Sequence, residues 1–277
     1  MPFGHMELLN AYREYLNFTR TSRNSAHARY IFPFFEGTYF TYRKIDVLRV
    51  VTIAKAIISN PKYLDVGCGY GDFLSKVIQY IPEAIGIEKD ATIYYLLRKP
   101  KPEYVVSTPV ECVTQPIDVA FVGWMEPGVD FRSSIARIAK CVITTFDEGG
   151  QCGINGGCEY EEFGYFPIAR WRTPSWIDVN HEIMNRYYTP QLTKNTSLRE
   201  SLSELRSAHN LWYVYIRDES LKHEIKSRLN NWLRYEYSTS LMENYEFEKI
   251  LDQCGFLYKT RLGSSVSNEK LWEVYFD

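Results

Sequence analysis

Tyr63-Leu64-Asp65-Val66-Gly67-Cys68-Gly69-Tyr70-Gly71, followed by Asp72-Phe73-Leu74, sets the architecture of this chain. A short apolar run ends in three alternate glycines, and a helical pattern starts directly after them. Glycines at the end of a strand let the backbone turn tightly and approach a ligand where a Cβ would collide. The next apolar run closes on Ile85-Gly86-Ile87-Glu88, about seventeen residues beyond Gly71. An acid at that distance suits hydrogen bonding to ribose hydroxyls.

The pattern continues outward from this pair. Candidate strands are Tyr63–Val66, Ala84–Glu88, Tyr104–Val106, Asp118–Val122 and Cys141–Thr145. Helical candidates at Asp72–Tyr80, Ala91–Leu97 and Phe131–Ala139 separate them. Strand and helix in alternation signal a parallel α/β sheet with right-handed crossovers. Ligands of such sheets bind beyond the carboxyl ends of the strands, at the switch point.

The glycine spacing is Gly-x-Gly-x-Gly, where dinucleotide binders carry Gly-x-Gly-x-x-Gly. Asp65 precedes the first glycine by two positions and would repel a pyrophosphate but attract an ammonium. A ligand with ribose hydroxyls, a positive α-amino group and no phosphate fits both features; S-adenosylmethionine is such a ligand. Asp65-Val66-Gly67-Cys68-Gly69-Tyr70-Gly71 resembles the first motif of class I S-adenosylmethionine-dependent methyltransferases, and Glu88 matches their ribose-binding acid. The resemblance implies a Rossmann-like α/β fold with seven strands in the order 3-2-1-4-5-7-6, strand 7 antiparallel. Phe256–Leu262 and Leu271–Phe276 look like strands six and seven. It also implies that Asp65, Gly67, Cys68, Gly69 and Gly71 cradle the methionine end. Glu88 would hold the ribose, Lys89 would be a further cofactor-binding residue, and Ser107 to Val110 would pass the adenine.

The fourth candidate strand leads into Gly123-Trp124-Met125-Glu126-Pro127-Gly128. In amino-methylating relatives this place carries Asn/Asp-Pro-Pro-aromatic, from which this chain departs; only Pro127 and a displaced aromatic, Trp124, are similar. By position, Trp124 and Glu126 are the expected catalytic, acceptor-facing residues, with a core role for Trp124 as the alternative. His181 and Asp147 are weaker candidates, and Arg13, Arg20, Arg23 and Arg29 read as a solvated helix face or an anion clamp.

Three domain segments are expected. Residues 1–60 form an N-terminal helical cap with an aromatic stretch at 29–40. Residues 61–146 and 245–277 form the cofactor domain. Residues 147–244 form a mostly helical, acceptor-binding insertion. Within it, Ser197 and Glu200 suggest a capping box, and Leu221, Ile225, Leu229 and Trp232 a buried stripe.

Composition narrows the function classes. The chain has 277 residues, 45% hydrophobic and 24% charged, an ordinary globular balance with 15 Phe, 22 Tyr and 6 Trp. Net charge is -2 and the pI near 6.3, which disfavours nucleic-acid binding, and the aromatic density of residues 30–42 and 163–176 suits a small or medium-sized acceptor in an enclosed pocket. No apolar run reaches membrane-span length and no signal-peptide pattern opens the chain, so a cytoplasmic location with no membrane partner is expected. Cys152 and Cys158 lie too far apart for a zinc half-site and no second pair follows, so no metal is expected. The rival readings are an aminopropyl transferase of the same fold, an RNA- or protein-modifying methyltransferase, and a non-catalytic cofactor-binding module.

Overall fold

The computed structural model describes residues 40–89, 100–147, 152–154, 156–175, 178–179, 210–240, 245, 248–253, 255–257 and 269–277. Eight strands form one mixed sheet: β1 (Tyr63–Val66), β2 (Ile85–Glu88), β3 (Val105–Ser107), β4 (Ile117–Gly123), β5 (Ala139–Asp147), β6 (Phe166–Thr173), β7 (Asn210–Ile216) and β8 (Tyr275–Phe276). Their order across the sheet is β3-β2-β1-β4-β5-β7-β6-β8. The described helices are α1 (Lys44–Ile57), α2 (Asp72–Val77), α3 (Arg132–Ile138), α4 (Lys222–Ser240) and α5 (Glu248–Gln253).

The first five strands match the sequence reading. β1 pairs in parallel with β2 and with β4, β2 with β3, and β4 with β5. Strand order therefore reverses between β1 and β4, where a ligand crevice forms in such folds. β1 is buried at all four positions and β4 at six of seven, as strands covered on both faces must be.

The other half of the sheet corrects the expectation. The count is eight strands, not seven, and β6 and β7, both inside the sheet, come from the segment expected to be a helical insertion. Only Tyr275–Phe276 of the expected final strand pairs, antiparallel to β6 through Ala169↔Phe276 and Arg170↔Tyr275. Leu271 and Trp272 are instead buried in a turn, with Trp272 at φ 59°. Phe256 and Leu257 lie in no strand, and residues 258–262 fall outside the described ones. Also outside are the cap up to residue 39, the Ala91–Leu97 helix, the Ser197–Glu200 box and His181. The Leu221–Trp232 stripe is in place, with Ile225 and Leu229 buried on α4.

Described residues of 42–171, 211–243 and 274–277 form one compact unit; those of 40–41, 172–210 and 244–273 form another. In the first unit, one sheet face carries a ladder of rings. Phe73 stacks on Phe121 at 4.5 Å, Phe121 lies 5.8 Å from Trp212, and Trp212 stacks on Trp171 at 5.1 Å. Arg49 of α1 lies over Trp171 at 5.3 Å and donates twice, at 2.7 Å, to Glu236 of α4. Both charges are fully buried, and Asp46 completes the network by accepting 2.8 Å from the Trp171 indole. The opposite face packs Leu64, Val66, Ala120 and Val122 against Ile135 and Ala136 of α3. In the second unit, α5 stops at Gly255, whose φ of 85° suits the left-handed position past a helix end. No helix among the described residues is long and apolar enough to cross a membrane.

Candidate functional site

The turn after β1 is built from backbone. The amides of Gly67 and Cys68 both donate to the Ile87 carbonyl, at 2.9 and 3.1 Å, which ties the turn to β2. Gly67, Gly69 and Gly71 have φ values of 66°, 56° and 74°, a left-handed region costly for residues with a Cβ. A Cβ placed on Gly67 would meet nothing within 4 Å, so this backbone borders open space. One on Gly71 would touch the Tyr104 ring at 3.0 Å. Glu88, at the end of β2, accepts 2.9 Å from the Gly69 amide.

Gly86 is the residue that the sequence reading passed over. A Cβ there would lie 2.6 Å from both Cys68 Sγ and Leu74 Cδ2. Its absence lets the turn and α2 settle onto the sheet. A lone glycine inside a four-residue strand signals such a close approach.

Acidic side chains gather at this edge. Asp65 is buried, which raises its carboxyl well above the usual range, and nearby Asp72 and Glu88 raise it further. Asp72 is pushed up to about 7 by burial, against hydrogen bonds from Phe73, its own amide and Tyr42 and against the charge of Lys76. Its Oδ2 is closed off from solvent with no hydrogen-bond partner. Burial, then Asp65 and Glu88, pushes the Cys68 thiol far up, so it is not a nucleophile. Open space beside an unsaturated acidic edge suits a cationic group, and backbone amides with a ribose-spaced carboxylate suit a nucleoside. The residues present therefore fit S-adenosylmethionine.

Asp65, Gly67, Cys68, Gly69, Gly71 and Glu88 thus stand together. Lys89 is exposed beside Glu88. Val110 is buried in the apolar cluster that contains Val66 and Ile87. Trp124 and Glu126 follow β4, whose register with β1 (Asp65↔Phe121) carries Gly123 to the same sheet edge as Gly67. Trp124 is half-buried with φ 68°, a left-handed conformation that costs a non-glycine residue about 1–3 kcal/mol. Its amide donates to the Thr145 carbonyl at 2.8 Å. Such strain concentrates at functional sites. Glu126 is exposed. It forms no ion pair with Arg170 or Arg172, which bind Asp277 and Glu269. Asp147 ends β5. Cys152 and Cys158 are buried, and no group of three or more metal-ligating side chains exists among the described residues.

No family model matches the chain, and no curated protein does. Solved structures are similar to it at low identity. One is magnesium protoporphyrin IX methyltransferase from Synechocystis PCC 6803 with bound SAM, at 10% identity over 76% of this chain and 91% of that one, TM-score 0.41. A second is the plantazolicin methyltransferase BamL, at 14% identity over 78% and 99%, TM-score 0.41. A third is the cyclase SpnF, at 12% identity over 61% and 81%, TM-score 0.42.

Proposed function

We propose that this chain is an S-adenosylmethionine-dependent methyltransferase that acts on a small or medium-sized acceptor. The supporting observation is the left-handed Gly67–Gly71 turn, held to Glu88 beside a buried Asp65, at the carboxyl edge where strand order reverses. Bound there, the cofactor supplies an electrophilic sulfonium methyl for in-line displacement. Asp65 and the turn amides hold the methionine end, and Glu88 holds the ribose. Trp124 and Glu126 form the acceptor wall, where the Glu126 carboxylate orients the attacking amine or hydroxyl. Orientation is the main task of the protein in such a reaction, and it supplies up to about 7–11 kcal/mol in favourable cases. The mild negative charge favours a small acceptor over RNA.

The test is label transfer from methyl-labelled cofactor to separated pools of small metabolites, RNA and protein. Label in the small-molecule pool, lost in Glu88→Ala, supports the reading. Label confined to RNA or protein overturns the acceptor class, and no label in any pool with cofactor bound favours a non-catalytic module.

A further inference from the structure

The loop after β4 is gripped from a second place in the chain, the segment around Gly153. Gly153 donates to the Met125 carbonyl at 3.2 Å, and its own carbonyl accepts from the Gly128 amide at 2.9 Å. One residue therefore bridges both arms of the turn that carries Glu126. That turn is closed internally by Val129 donating to the Glu126 carbonyl at 3.3 Å.

The grip depends on glycine. Gly153 has φ 61°, and a Cβ there would lie 2.5 Å from the Gly157 carbonyl oxygen and 2.9 Å from Met125 Cε. Met125, Cys152 and Cys158 are all buried in the same apolar cluster, which seats the segment against the sheet. Arg132 braces it from outside. Its guanidinium donates to the Glu159 carbonyl at 2.8 Å, pairs with Glu162 at 2.7 Å and lies 5.3 Å from the centre of the Phe163 ring.

We propose that Gly153 is a positioning residue for the acceptor wall, a backbone clamp that fixes the Met125–Gly128 turn and so the strained Trp124 and the Glu126 carboxylate. The role of that wall rests on the methyltransferase reading; the clamp itself does not. It explains the opposed demands on this loop, which must present an exposed acid from a turn that starts with a left-handed tryptophan. A mobile loop would relax Trp124 to an ordinary conformation and scatter the carboxylate.

The test uses the full chain labelled with 5-fluorotryptophan, the residue-124 resonance being the one missing in Trp124→Phe. Two variants are compared with wild type. Gly153→Ala introduces the clash, and Gly128→Ala, whose Cβ meets nothing within 4 Å, introduces only backbone strain at φ 80° and keeps the test open if the first fails to fold. The expected result is a shifted residue-124 resonance and amide exchange about tenfold faster at Met125–Val129. The other tryptophans should stay in place, and S-adenosylhomocysteine affinity should remain within about threefold of wild type. In wild type the same ligand should move the residue-124 signal, and in Gly153→Ala it should move it less. An unchanged residue-124 signal and unchanged exchange in both variants overturn the clamp, as does a uniform change at all six tryptophans with parallel loss of affinity. If wild type binds no S-adenosylhomocysteine, the functional reading fails, and the resonance and exchange in free protein still decide the clamp.

Discussion

The Glu88 carboxylate accepts a 2.9 Å hydrogen bond from the Gly69 amide, which joins the end of the second strand to the middle of the glycine turn. The acid expected to hold a ribose is therefore also a tether for the backbone that faces the ligand. Loss of its side chain removes the tether and, on the proposed function, the ribose anchor as well.

Glu88→Ala should lower affinity for S-adenosylhomocysteine at least about tenfold, which is near 1.4 kcal/mol. Glu88→Gln keeps an oxygen for Gly69 but loses the charge that favours two ribose hydroxyls, so its loss should be smaller. Calorimetry on both variants separates tether from anchor. Equal losses would mean that charge, not the tether, carries the effect.

Gly86→Ala should destabilise the fold by about 1–3 kcal/mol through overpacking. The new methyl meets Cys68 Sγ and Leu74 Cδ2 at 2.6 Å. Adding Cys68→Ala should recover part of this, since it removes one of the two colliding atoms. Urea melts of both single variants and the double variant report the coupling.

Removing one partner of Arg49–Glu236 should cost about 3–5 kcal/mol, because the remaining charge is left buried. Glu236→Leu with Arg49→Met should be much milder than either single change. Both side chains are fully buried, and solvent cannot compensate the survivor. Denaturant midpoints of the three variants check this.

Stability and ligand binding should respond oppositely to pH around the acidic edge. Burial pushes the Asp72 carboxyl up to about 7 in the folded protein, against about 3.9 in an unfolded chain. A raised carboxyl contributes stability that is fully present below about pH 4 and is lost as pH rises through about 7. Asp65 shifts in the same direction. The titratable groups around Asp72 include Tyr42, Lys76, Asp65, Cys68 and Tyr104. A cationic ligand favours the ionised form, so S-adenosylmethionine affinity should rise between about pH 6 and 8 with proton release on binding. Calorimetry in buffers of different ionisation enthalpy measures that release, and Asp72→Asn should flatten the pH dependence.

The half of the sheet around β1 was legible because its signals are local. A turn that needs three left-handed backbones leaves glycines, and strands covered on both faces leave continuous apolar runs. β6 hid because Phe166-Pro167-Ile168-Ala169-Arg170-Trp171-Arg172-Thr173 carries two arginines and a proline, although Trp171 and Arg172 are both buried. The Arg172 charge is met by Glu269, far along the chain, and no window of sequence displays that partner. β7 was readable: Asn210-Leu211-Trp212-Tyr213-Val214-Tyr215-Ile216 is rich in aromatic and β-branched residues. The residues around it are mostly helical in pattern, which masks the strand. In the candidate site, the spacing of Asp65 to Gly71 and Glu88 is visible in the sequence, whereas the close approaches at Gly86 and Gly153 exist only in the folded chain.

The most direct measurement of the central claim is calorimetric titration of the full chain with S-adenosylmethionine, S-adenosylhomocysteine and NAD in parallel. The expected result is one site per chain for the two adenosyl ligands, with a Kd on the order of micromolar, equivalent to about 8 kcal/mol. NAD should bind far more weakly, because Asp65 and its acidic neighbours oppose a pyrophosphate. Tighter binding of NAD than of either adenosyl ligand would contradict the account.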